Sequence, residues 1–140
     1  MIAIRALGPD DADVLLAVPP GLFDNNLRPD QCRAFLASPD NILLLAFDGE
    51  LAVGLTTATV LLHPDKAPAL FVNEVGTRES HLRRGIATSL MQTLFAMARD
   101  RGCQGIWLGT EPDNQPALGL YRKLGGHEVP FVGFGWDDAL

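Results

Sequence analysis

The sequence predicts a mixed α/β domain with a central, mostly antiparallel sheet and helices on both faces, in the order β-α-α-β-β-β-α-β-α-β. Three observations lead there. Stretches that alternate apolar and polar residues are interleaved with stretches whose apolar residues recur every three or four positions, so strands and helices share the chain. In the first half, strands meet at Asp48-Gly49, a pair suited to the tight turn of an antiparallel hairpin. In the second half, strand, helix and strand succeed one another, which calls for a right-handed parallel crossover. This combination is not that of a doubly wound nucleotide-binding fold.

The elements follow in order. "IAIRAL" alternates and reads as a short strand. "GPDDADVLLAV" opens with acids that favour a helix N-terminus and runs into Pro19-Pro20, giving a helix of two to three turns. "PGLFDNN" is a loop, and "RPDQCRAFLASPD" is a second helix between Pro29 and Pro39. "NILLLAFDGELAVGLTTATVLLH" gives two strands, "HPDKAPA" a loop and "LFVNEVGT" another strand. From Gly85 to Arg101, the residues Ile86, Ala87, Leu90, Met91, Leu94, Phe95 and Ala98 form one apolar face, so an amphipathic helix is predicted, stopped at Gly102. "QGIWLGT" is a strand. In "EPDNQPALGLYRKLGG", Asn114 caps a helix, Pro116 sits in its first turn and Gly125 takes the left-handed stop. "HEVPFVGFGWDD" closes as a strand or a bent hairpin.

Composition narrows the function. A chain of 140 residues, 47% of them apolar, matches one domain with its own core, so residues 1–140 are read as a single unit. Neither a membrane span nor a leader pattern is evident, and a cytoplasmic protein is expected. Cys32 and Cys103 form no CxxC, and His63, His81 and His127 show no HxH or HExxH spacing, so no metal is predicted. The cysteines read as small hydrophobes. With net charge -6 and a pI near 4.8, the chain is unsuited to nucleic acid, whereas a cationic small molecule is a natural partner.

Against that acidic background, "HLRRGIATSL" concentrates positive charge at one helix start. Unpaired backbone N–H groups there, with the helix dipole behind them, seek an anion. Gly85 admits close approach, Ala87 stays small, and Arg83 and Arg84 add charge. Taken alone, the pattern reads more readily as a solvated turn.

In context the motif carries a resemblance. "LRRGIA" between a strand and an amphipathic helix, followed by a strand and "NQPALGLYRKLGG", resembles the GNAT superfamily of N-acetyltransferases, from about Val72 to Gly126. The sequence departs from the family pattern at Leu82, usually Gln or Arg, and at Gly126, commonly aromatic. "LFD", "LLAFDGELAVG", Glu74 and an aromatic tail ending in acids add a finer similarity to aminoglycoside 3-N-acetyltransferases. The resemblance implies a GNAT-like fold, direct acetyl transfer from acetyl-CoA without a metal or covalent enzyme intermediate, and possible homodimers. It implies that acetyl-CoA is held by Val75, Gly76, Thr77, Leu82, Arg83, Arg84, Gly85, Ile86, Ala87, Thr88 and Asn114.

Acetyl transfer to an amine needs a proton acceptor, donors for the oxyanion and a proton for the departing thiolate. Glu74 interrupts an apolar strand, where partial burial in a cleft would suit a base; a solvent-facing or arginine-paired carboxylate is the alternative. Gly76 would suit a bulge, leaving a Val75 or Gly76 N–H for the thioester oxygen. Tyr121, the one tyrosine, is either the acid that protonates sulfur or a core aromatic, and the resemblance favours the acid. Asn114 serves the cofactor or simply caps its helix. Phe23, Asp24, Glu111, Asp113 and Asp137, with Asp138, are candidates to wall a cationic acceptor or give it an acidic rim, with Trp107, Phe134 and Trp136 as further wall or dimer residues, core packing being the default for Trp107. The acceptor is read as an aminoglycoside, with a polyamine, an amino acid or a protein amine as alternatives. A non-catalytic acyl-CoA sensor is the rival of another class.

Overall fold

The computed structural model describes residues 1–138. It divides into two compact units, Met1–Gly109 and the chain from Thr110 onward.

The first unit is a five-stranded sheet in the spatial order β1-β2-β3-β4-β5. Its strands are β1 (Ile2–Ala6), β2 (Asn41–Asp48), β3 (Leu51–Leu61), β4 (Ala69–Thr77) and β5 (Gly105–Trp107). The first four pair antiparallel and β5 runs parallel to β4, as the mixture of hairpins and crossover predicted. The β2–β3 turn falls one residue later than expected, at Gly49-Glu50, because Asp48 already pairs with Leu51; Gly49 supplies the positive φ of +62°.

Helices cover both faces, and the alternation of side chains decides which residues meet which. On one face, Leu43, Leu45 and Leu55 pack with Leu15 of α1 (Ala12–Leu16) and with Cys32 and Leu36 of α2 (Pro29–Ala37). On the other, Gly54 lies under α3 (Ile86–Asp100), so close that a Cβ at Gly54 would sit 2.6 Å from Ile86 Cγ2 and 3.2 Å from Leu90 Cδ1. Five of the seven apolar α3 positions named from spacing, Ile86, Leu90, Met91, Leu94 and Ala98, are buried. Ile86, Leu90, Met91 and Leu94 each contribute about 1.5–3 kcal/mol when removed from water, which fixes α3 to the sheet.

Several expectations need correction. The first helix is a 3-10 turn, Pro9–Asp11, followed by only five residues of α1. The Asp11 carboxylate explains the tight start: it accepts the Gly8 N–H at 2.7 Å and the Arg5 guanidinium at 2.6 Å. Trp107 is half exposed and stacks on Phe71 at 4.1 Å between ring centroids instead of entering the core.

The second unit contains α4 (Gln115–Lys123). Asn114 caps it by accepting the Ala117 N–H at 3.3 Å, and Gly125 takes a φ of +89° just past its end. The closing strand does not form: residues 127–136 have no regular structure, and Phe131, Phe134 and Trp136 are exposed. Pro130 lacks an N–H, and Gly133 and Gly135 offer no side chain to pack, so the segment holds a strand poorly on its own.

Candidate active site

The site in the first unit is built where β4 loses its outer neighbour. β5 pairs with β4 at Ala69–Phe71, and from Val72 to Thr77 β4 has no β5 partner among the described residues. Strand alternation identifies the groups left open. The Arg78 N–H donates to Val53 O at 2.7 Å, so the N–H groups of Gly76 and Glu74 also face β3. Those of Val75 and Thr77 face the open edge. Of the two amides considered for an oxyanion, the Val75 N–H has the right direction and the Gly76 N–H does not.

Side chains divide in the same way. Glu74 lies opposite Thr57 and Gly76 opposite Leu55, on the α1–α2 face. The bulge expected at Gly76 is instead at Asn73: Thr57 pairs with Glu74 and Ala58 with Val72, leaving Asn73 as the extra residue. This insertion sets the face to which Glu74 points. Its carboxylate Oε2 accepts the Thr57 hydroxyl at 2.7 Å, and its backbone carbonyl accepts the Thr56 hydroxyl at 2.8 Å. Thr56 and Thr57 are buried, but Glu74 itself is exposed, contrary to the partial burial anticipated. Neither threonine stood out in the sequence, because their meaning depends on cross-strand register.

The helix start has the predicted character. Gly85, at φ +75°, precedes α3, and Arg83 is also left-handed at φ +60°. The first α3 ladder bond runs from the Ser89 N–H to Gly85 O, so the N–H groups of Ile86, Ala87 and Thr88 are the helix's free donors. A Cβ at Gly85 would meet nothing within 4 Å, so the space in front of the helix is open. Leu82, Arg83 and Arg84 are exposed around it. His81 steadies the preceding loop: its Nε2 lies 2.8 Å from Asp48 Oδ2 and its Nδ1 2.7 Å from Ser80 Oγ. The hydrogen bond from His81 lowers the Asp48 pKa below the usual carboxylate range, with smaller help from the charge of the chain N-terminus and, least, of Arg84.

On the α1–α2 face, a cleft of about 360 Å³ is lined by Pro19, Pro20, Gly21, Phe23, Asp24 and Leu27, among others. Phe23 is partly buried against the core cluster, whereas Asp24 is exposed. The loop is held over β4, since a Cβ at Gly76 would come within 3.7 Å of Leu22 O.

In the second unit, Tyr121 is half-buried on α4, and burial pushes its phenol above the ordinary tyrosine range. Glu111, Asp113 and Asp137 are exposed, as is Asn114, whose side-chain oxygen is engaged in capping. Cys32 is buried, with its thiol pKa raised mainly by that burial, as a small core residue should be.

Comparison with known proteins identifies the family to which this fold belongs. Residues 14–126 match the model of the acetyltransferase (GNAT) family, and the chain belongs to that family. N-alpha-acetyltransferase 30 of Schizosaccharomyces pombe is 27% identical over 93 residues, covering 66% of this chain and 62% of that protein. Streptothricin acetyltransferase of Streptomyces lavendulae is 32% identical over 71 residues, covering 51% of this chain and 35% of that protein. Both matches therefore span less than two thirds of the relative's length. The fold is also similar to that of an aminoglycoside acetyltransferase from an uncultured soil metagenomic sample, with a TM-score of 0.84 and 23% identity over 98% of this chain and 99% of that one.

Proposed function

We propose that the protein transfers the acetyl group of acetyl-CoA directly to a primary amine of a cationic small molecule of the aminoglycoside class. The observation that carries the reading is the juxtaposition at β4: Val75 turns its N–H to the open edge while Glu74 turns its carboxylate to the cleft-bearing face. One strand thus addresses both reactants.

In this reading the pyrophosphate of acetyl-CoA meets the free N–H groups of Ile86, Ala87 and Thr88, with Arg83 and Arg84 supplying counter-charge. Leu82, Gly85 and Thr77 shape the backbone approach, and Asn114 adds a polar contact. The Val75 N–H donates to the thioester oxygen as negative charge builds there and the amine nitrogen bonds to the carbonyl carbon. Glu74 takes the ammonium proton, directly or through water, the C–S bond breaks, and Tyr121 protonates the leaving thiolate. No covalent enzyme intermediate or metal enters these steps. Asp24, Glu111, Asp113 and Asp137 attract a polycation, and Phe23 forms part of the wall.

The proposed setting is a cytoplasmic enzyme with residues 1–140 read as one N-acetyltransferase domain, supported by a family match that begins in the first unit and extends to residue 126 of the second. A homodimer is part of the proposal, supported by the exposed apolar side chains of Val129, Phe131, Val132, Phe134 and Trp136. The likeness to an N-alpha-acetyltransferase favours a second reading, in which the acceptor is the terminal amine of a peptide. Mass spectrometry of acceptors incubated with acetyl-CoA tests the assignment. One acetyl group gained by an aminoglycoside supports it; acetylation of a peptide terminus alone replaces it with the second reading.

A further inference from the structure

Arg78 ties β4 to a loop nearly sixty residues earlier in the sequence. Its Nη1 donates to Pro20 O at 2.7 Å, its Nη2 to Pro19 O at 3.1 Å and its Nε to Ala52 O at 3.1 Å. Its own backbone N–H donates to Val53 O at 2.7 Å. All three guanidinium nitrogens are therefore spent on main-chain carbonyls. The segment that they hold has a specific deficiency: Pro19 and Pro20 carry no N–H, so this stretch cannot join a backbone ladder as a donor. It offers acceptors alone, and a rigid fork of donors is the complementary group.

The next residues are shaped around this contact. Gly21 has a φ of +105°, and a Cβ there would stand 2.9 Å from Arg78 Nη1. Leu22 is buried in the core cluster with its carbonyl over Gly76, and the chain then supplies Phe23 and Asp24 to the cleft. Arg78 follows directly on the strand that carries Glu74 and Val75.

We propose that Arg78 is a positioning residue for the acceptor side of the site, fixing the Pro19–Leu27 wall relative to Glu74 and so setting the affinity for the amine substrate. This rests on the acetyl-transfer reading above. Lysine cannot replace it, because one ammonium cannot reach three carbonyls in the plane of a fork.

The test compares wild type with Arg78→Lys, Arg78→Gln and Gly21→Ala. It records KM for the accepted amine, kcat, acetyl-CoA affinity by titration, melting temperature, and hydrogen exchange of the peptide spanning residues 21–27. The proposal predicts faster exchange in that peptide and a KM for the amine raised about tenfold or more in both Arg78 variants, the scale of losing hydrogen bonds from a charged donor. Acetyl-CoA affinity should stay within about twofold of wild type. Gly21→Ala, which disturbs the clamp from the loop side, should raise the same KM while keeping Arg78. An unchanged amine KM in folded variants overturns the proposal, as does an equal loss of acetyl-CoA affinity. Absence of turnover on any amine by the wild type would instead overturn the function proposed above.

Discussion

The Thr57 hydroxyl donates to Glu74 Oε2 at 2.7 Å across the β3–β4 pair, from a side chain that is itself buried. One carboxylate oxygen is therefore held, and in the proposed mechanism the other meets the incoming amine. Glu74→Gln should lower kcat by about 10²-fold or more at pH values below the amine's own pKa, with acetyl-CoA binding retained. Thr57→Val keeps the shape and removes the donor, so a smaller fall in kcat/KM with an unchanged acetyl-CoA affinity is expected. Rates equal to wild type across pH in both variants would take Glu74 out of the chemistry.

Tyr121 offers a direct pH reading because the chain contains one tyrosine. Burial favours the neutral phenol, so tyrosinate absorbance should appear in a single transition displaced above the ordinary value of about 10. A folded pKa above the unfolded one gives a stabilising contribution that is complete below about pH 10 and is lost as pH rises through the folded value. Tyr121→Phe should slow thiolate departure and lower kcat while leaving KM for acetyl-CoA little changed. A tyrosinate transition at or below the ordinary value contradicts the burial argument, and an unaltered kcat contradicts the proton-donor role.

The contact between His81 and Asp48 predicts acid sensitivity of the loop before α3. Because the folded Asp48 pKa is depressed, mainly by the hydrogen bond from His81, its contribution is present above the unfolded carboxylate value of about 3.9 and is lost as pH falls through the lower folded value. Melting curves of wild type and Asp48→Asn should therefore differ near neutrality and converge in acid, with wild type the more stable above the transition. A difference that stays constant from neutrality into acid would show that the pair does not act in this way.

Gly85 separates backbone conformation from ligand contact. Gly85→Val places a branched side chain at φ +75°, at a cost of about 1–2 kcal/mol for the left-handed region, although no protein atom lies within 4 Å of the new Cβ. The fold should survive with a modestly lower melting temperature, while acetyl-CoA affinity falls by much more than tenfold because the pyrophosphate can no longer approach the α3 amides. Retained affinity would remove the helix N-terminus from the binding site.

What the sequence disclosed was local. The α3 period, the Asn114 cap and the left-handed Gly102 and Gly125 depend on residues within a turn of one another, and each is found where spacing placed it. The bulge at Asn73 was hidden because the residue carries no glycine signal; only the pairing of Thr57 and Ala58 with Glu74 and Val72 reveals it. Arg78 carries no local signal either, as its partners Pro20 and Pro19 are 58 and 59 residues away. The tail misled in the opposite direction. Its alternation of aromatic residues and glycines imitates a strand, but alternation alone supplies no neighbour to pair with.

The most direct measurement is thiol release from acetyl-CoA in the presence of aminoglycosides, polyamines, amino acids and a basic peptide, with thermal stabilisation by CoA recorded in parallel. The account predicts stabilisation by CoA together with thiol release that requires an amine and is fastest with an aminoglycoside. Stabilisation without release on any of these amines would contradict it and leave a protein that binds acyl-CoA without transferring the acyl group.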